Sequence, residues 1–321
     1  MPKVILIGYE IKIKKKREQG YKPLAEFNGV NDFYQVIVDY LTTHQPKNTG
    51  KPNAFKVKQA DLKTIGFDGF TKDDTKRTIF GTVKIGEFGL SYEMVNVENQ
   101  NLEHMRSVNE TDSFPIHFLL KVPDVNDVLR FSGVAVFEKF RGRGAKGLFE
   151  SHFMETFKTV YPDYTLIMNP LVPEEILTSL DKGKISEVTL KSPKLPKNIE
   201  DYYSRGNEET ERANITYKFS KVGADKKMNN YLKGVVNKAK PMNGVLVGDW
   251  FDVNEIDAKL KIDGKDETII IKEEKEQIIP GLDISKKAKP AKNGFPPPNK
   301  VQNESLVYLK ELEVRLRRDL T

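Results

Sequence analysis

The sequence predicts an α+β protein, with a largely antiparallel sheet in an N-terminal domain, a smaller α+β second domain and a C-terminal amphipathic helix. Three features predict it. Between Ala54 and Phe137, short segments rich in β-branched and aromatic residues follow one another, separated by polar residues, Gly or Pro. Strand-like and helix-like segments then alternate through the second half. The last stretch places Leu309, Leu312, Leu316 and Leu320 on one side of a helix.

Taken in order, the chain opens with a strand. Ile5, Ile7, Tyr9, Ile11 and Ile13 make an apolar face, and the alternate residues turn polar at Glu10 and Lys12. Lys14-Lys15-Lys16-Arg17 closes it as a basic loop. Asn31 is the expected cap of a helix to about Thr43, with Phe33, Val36, Ile37, Tyr40 and Leu41 on one face. Residues 44–53 read as a loop from their Pro, Gly and Asn. Strands are expected in AFKVKQADL, TIFGTVKIGEFG, LSYEMVNV, FPIHFLLKV and LRFSGVAVFEKF. A helix follows from Lys146 to about Tyr161 with a Phe149, Phe153, Phe157 and Val160 stripe, then the strand YTLIM.

In the second half, Glu174–Leu180 reads as a helix and ISEVTLKS as a strand. Residues 192–212 form a polar connection or short helix, and ANITYKFSK is a strand. A helix from Asp225 to Lys240 has Met228, Tyr231, Leu232, Val235 and Val236 inward; VLVGDWFDV, AKLKI and ETIIIKEEK follow as strands. The expected division is 1–165, 166–285, a Pro/Lys-rich linker at 286–300 and a C-terminal helix at 301–321. The leucine seam of that helix either packs on its own domain or pairs with a copy of itself.

The 321 residues carry 52 Lys+Arg against 46 Asp+Glu, a formal +6. That balance permits an anionic partner without requiring one. The absence of Cys excludes disulfide scaffolds, thiolate metal sites, iron–sulfur clusters and cysteine nucleophiles. His44, His104, His117 and His152 match no metal-binding spacing, so no metal and no cofactor is expected. His117 alternates with apolar residues and reads as a satisfied, partly buried side chain; His152 lies near the basic glycine loop. No apolar run approaches membrane-spanning length, and the N-terminus lacks the pattern of a signal peptide. A cytoplasmic protein without direct membrane insertion is the expectation.

The most suggestive local feature is FEKFRGRGAKGLFESHF. A strand leads into Arg141-Gly142-Arg143-Gly144-Ala145-Lys146-Gly147, and a helix begins. Glycines let backbone N–H groups approach an anion, the helix start adds partial positive charge, and Arg141, Arg143 and Lys146 add full charges. The spacing is neither a P-loop nor a dinucleotide fingerprint. The bland alternative is a solvated basic connection. A second cluster, Lys218 to Lys240, holds seven Lys and one Asp. Its Lys226, Lys227 and Lys233, with the three residues above, are the expected contacts to nucleic-acid phosphates. With 12–17, 286–300 and Arg315, Arg317 and Arg318, these clusters suggest a shared basic surface.

An alternative is a metal-dependent nuclease in which Asp266 and Glu273 bind magnesium and Lys275 steadies the attacking water. Another is an adaptor whose basic faces meet an acidic protein.

The order VILIGYEIKIKKK, DFYQVIVDYL, FGTVKIGEFGLSYEM, a Phe-rich helix, LIMNPLVPEEILTSLDKGKISEVTLKS and a basic C-terminal helix resembles the RexA-like exclusion proteins of temperate phages and related bacterial defence proteins. The likeness spans most of the chain; the Pro/Lys tether departs from it. It implies a non-enzymatic, largely sequence-independent binder of double-stranded DNA, acting as a homodimer in antiviral defence or phage exclusion. It also implies signalling to a partner effector, often membrane-bound. It supplies no individual site residue.

Overall fold

The computed structural model describes residues 2–45, 56–58, 62–173, 185–192, 215–220, 230–232, 234, 255–262, 265–274 and 277–319. The expected α+β class holds: a large antiparallel sheet is combined with helices that include one at the C-terminus.

Two compact units emerge, and neither is a continuous piece of chain. One combines Met1–Glu10, Asn169–Ala288 and Glu304–Thr321; the other combines Ile11–Met168 and Lys289–Asn303. The first ten residues thus group with the second half of the chain, and residues 289–303 group with the first half. The cause lies in the first strand, β1 (Val4–Lys15), which is long enough to serve both units.

In the unit holding the chain termini, strands run in the order β12 (Ile215–Ser220), β11 (Ile185–Ser192), β13 (Glu255–Ile262), β14 (Lys265–Glu274), β15 (Gln277–Asp283) and β1. Every one of these pairings is antiparallel. The last aligns Ile5 with Asp283 and Ile7 with Gly281. Gly281 has no room for a side chain, because a Cβ there would meet Ile5 Cγ2 and the Leu6 carbonyl. The C-terminal helix, α3 (Pro298–Arg318), continues into this unit from Glu304 onward. It buries Tyr308, Leu309, Leu312 and Leu316, and Leu312 fills the space beside Gly8. Leu309, Leu312 and Leu316 of the leucine seam thus pack within this unit, and Leu320 lies outside the described residues.

In the other unit, β1 is followed by β8 (Gly133–Phe140), β7 (Phe114–Lys121), β4 (Thr78–Glu87), β3 (Lys63–Asp73) and β2 (Lys56–Lys58). Two helices, α1 (Phe33–His44) and α2 (Lys146–Val160), cover one face. Their aromatic side chains interlock with the sheet: Phe149 lies 5.1 Å from Phe118 and 5.4 Å from Phe137, and Tyr40 lies 5.5 Å from Phe67. The cap of α1 is Asp32 rather than the expected Asn31. Its Oδ1 accepts from the Tyr34 N–H, and both of its oxygens hold the Arg77 guanidinium at 2.6 and 2.8 Å. One carboxylate therefore caps the helix and ties it to the β3–β4 turn.

A two-stranded ribbon, β5 (Tyr92–Val95) and β6 (Leu102–Arg106), stands apart from the main sheet. The helix expected at 174–180, the strand at 245–253 and most of the helix at 225–240 fall outside the described residues; of the last, Tyr231 and Leu232 are helical and buried.

Candidate nucleic-acid interface

The glycine-rich basic segment is a β-hairpin. β8 pairs with β9 (Arg143–Gly144), aligning Phe140 with Arg143 and Lys139 with Gly144. Arg141 and Gly142 make the two-residue turn, with φ of 49° and 81°. Positive φ at both positions matches the right-handed twist of the flanking strands, which is what a type I′ turn supplies. Gly142 therefore serves the turn and Gly144 the strand pairing, while Gly147 lies in the first turn of α2. The start of α2 is closed by buried Ala145, which offers no capping side chain.

The three expected cations of this segment have separate surroundings. Arg143 pairs with Asp112 and stacks over the Phe114 ring, its Cζ 4.9 Å from the centroid. Lys146 bonds Glu150 one helical turn along, at 2.8 Å. Both charges are met by neighbouring carboxylates. Arg141 is exposed, lies over Phe140 at 5.6 Å and has no ion pair among the described residues. Lys226, Lys227 and Lys233 lie outside the described residues.

The former linker meets this hairpin. Phe295 packs edge-on against Phe114 at 4.9 Å and lies 6.0 Å from Phe140. Its own turn is closed by the Ala291 N–H to the Phe295 carbonyl at 2.8 Å and the Gly294 N–H to the Ala291 carbonyl at 2.9 Å, with Gly294 at φ 80°. Lys292 sits in this turn; Lys289, Lys292 and Lys300 are all exposed. Two basic runs more than 140 residues apart in sequence thus share one aromatic cluster, Phe114, Phe140 and Phe295. The Pro/Lys composition suggested a tether and hid the anchoring Phe. The run at 12–17 is organised around its own loop: Lys12 lies over the Tyr21 ring, and Lys15 and Lys22 share Glu18.

Asp112 anchors the hairpin. Burial pushes its carboxyl up, but the Arg143 guanidinium, the Glu87 N–H and the charge of Arg106 outweigh this and hold it below the ordinary 3.8. A carboxylate depressed on folding stabilises the native state fully above its unfolded pKa, and that contribution is lost as pH falls through the folded value. The hairpin anchor is expected to release only below about pH 3.8 and to persist at neutral pH. Hydrogen exchange of the Arg143 amide across an acid series checks this; protection lost already at pH 5 would contradict it.

A second polar feature is buried in the sheet. Glu138 Oε2 accepts from the His117 backbone N–H at 2.9 Å and lies 2.5 Å from His117 Nδ1; Phe80 stacks on the imidazole at 5.8 Å. Both side chains are nearly inaccessible, and Glu138 Oε1 has no hydrogen-bond partner. His152 is equally buried, bonded to the Tyr40 hydroxyl between α1 and α2. It belongs to the core and does not serve an anion at the hairpin.

The nuclease constellation is not assembled on β14. Asp266 and Glu273 lie seven residues apart in one strand, so about 23 Å of extended backbone separates them. Metal–oxygen bonds near 2 Å do not let these two residues of one chain share an ion across that span. Lys275 is outside the described residues, and no group of three or more His, Asp or Glu suited to a metal occurs among the described ones. No described helix is long and apolar enough to cross a membrane. No protein-family model matches the chain, and no curated protein matches it significantly.

Proposed function

We propose that this chain binds nucleic acid through the sugar–phosphate backbone without reading base sequence, with double-stranded DNA as its target, in the antiviral setting implied by the resemblance. The observation that supports the reading is the convergence of two basic segments on the Phe114, Phe140 and Phe295 cluster. Arg141, Lys289, Lys292 and Lys300 are the contacts assigned to phosphate. Arg143 and Lys146 shape the surface through Asp112 and Glu150. Lys226, Lys227 and Lys233 remain part of the proposal as a second contact region. An aromatic cluster already packed beneath the cations needs no ordering on binding, and phosphate contact by Arg and Lys carries no sequence information. Signalling to an effector from the cytoplasm completes the reading.

Gel shift or anisotropy over a salt series tests it. Six to ten phosphate contacts predict a loss of about three to five decades in affinity between about 50 and 200 mM salt. Replacing Arg141 and Lys292 together by Ala is expected to reduce the slope of log K against log salt by about two, uniformly across unrelated sequences. Absence of binding to any DNA or RNA, or a slope unchanged in the double variant, refutes the assignment.

A further inference from the structure

The β5–β6 ribbon exposes nearly all of its surface. All four residues of β5 are exposed, as are all of β6 except Arg106. The exposed residues include Leu90, Met94, Val95, Leu102 and Met105, with Val97 at the tip 92% exposed. A two-stranded ribbon is marginal by itself in water. This one is fixed at its base, where buried Arg106 donates to the Tyr92 hydroxyl and to the Glu87 and Glu110 carbonyls. Fixed apolar surface of this kind marks an interaction site.

Charge narrows the partner. Residues 88–110 carry Glu93, Glu98, Glu103 and Glu110 against the single Arg106, in a chain whose formal charge is +6. Edge-to-edge pairing of two ribbons would set Glu93 and Glu103 against their own copies, which is unfavourable. The fitting partner is apolar and basic. Such a surface exists on this chain: the outward face of α3 presents Asn303, Val307, Lys310, Val314 and Arg317 at helical spacing, with both valines more than half exposed. The lengths agree. Leu90 to Val97 spans about 23 Å when extended, and Asn303 to Arg317 about 21 Å of helix.

We propose that the β5–β6 ribbon of one chain docks on the outward face of α3 of a second copy, so that the protein self-associates through unlike surfaces. Each copy offers both surfaces, so any two copies can make this contact. This assignment is independent of the nucleic-acid reading.

Sedimentation equilibrium of the full chain, without nucleic acid and at micromolar concentration, tests it. The expected mass is twice 36.7 kDa. Glu93→Lys with Glu98→Lys, and separately Lys310→Glu, are each expected to weaken the dimer about tenfold or more. All three changes in one chain are expected to restore it. Val97→Ser, far from the Arg106 anchor, gives a reading free of charge effects and is expected to weaken it too. Circular dichroism establishes that each variant is folded. A monomer at all concentrations overturns the proposal. So does a dimer indifferent to these changes, or one that the combined variant fails to restore.

Discussion

Replacing His117 with Ala is expected to destabilise the protein by about 3–5 kcal/mol, because it leaves a buried carboxylate without its partner. Glu138 Oε2 would keep only the His117 backbone N–H, and Oε1 already lacks a partner. The imidazole also stacks on Phe80, a contact worth about 0.5–1.5 kcal/mol more. The double replacement His117→Leu with Glu138→Leu is expected to lose much less, since no buried charge is then stranded. Urea unfolding checks both: the single variant should lower the midpoint at constant slope, and the double variant should recover most of it. A single variant within about 1 kcal/mol of the parent would show that the pair is not held as described.

Phe149→Ala is the second large effect, again about 3–5 kcal/mol. Phe149 is 1% exposed. It joins α2 to both α1 and the sheet, lying 6.3 Å from Tyr40, 6.1 Å from Phe67 and nearer still to Phe118 and Phe137. Packed rings on several sides leave little freedom to collapse into the vacated space, so the cavity penalty adds to lost burial. A melting temperature lower by about 6–20 °C is expected for a protein of this size. Val160, at the exposed end of the same helix, provides the control: Val160→Ala should stay within about 0.5 kcal/mol.

Much of the fold was legible because periodicity reports burial. The stripe Phe149, Phe153 and Phe157 is buried as its spacing requires, while Val160 at the exposed C-terminal end is not. What escaped has local causes. β3 was hidden by Gly66 and Gly69, which resemble turn residues, and its pairing with β4 shifts register between Phe67 and Gly69. β6, LEHMR, lacks β-branched residues and makes no buried face, so neither propensity nor alternation marks it. The Arg141–Gly142 turn departs from the usual Asn-Gly or Asp-Gly pair, so the sequence there marks charge and not turn geometry. Phe295 lies among three prolines and several lysines, and only its partners in space reveal an anchor. The basic clusters were visible in the composition, but their carboxylate partners Asp112 and Glu150 were not; pairing depends on which loops meet.

The shared membership of β1 and α3 also governs birth of the molecule. Residues 5–7 pair with 281–283, so these early residues must wait until β15 has been made before their neighbour exists. At about 5–20 residues per second, the ribosome leaves that edge without its β15 partner for roughly 15–55 s. During this interval a nascent segment as apolar as VILIGY is a natural client for a chaperone, and a transcript truncated before residue 277 would encode a product that never closes this part of its architecture.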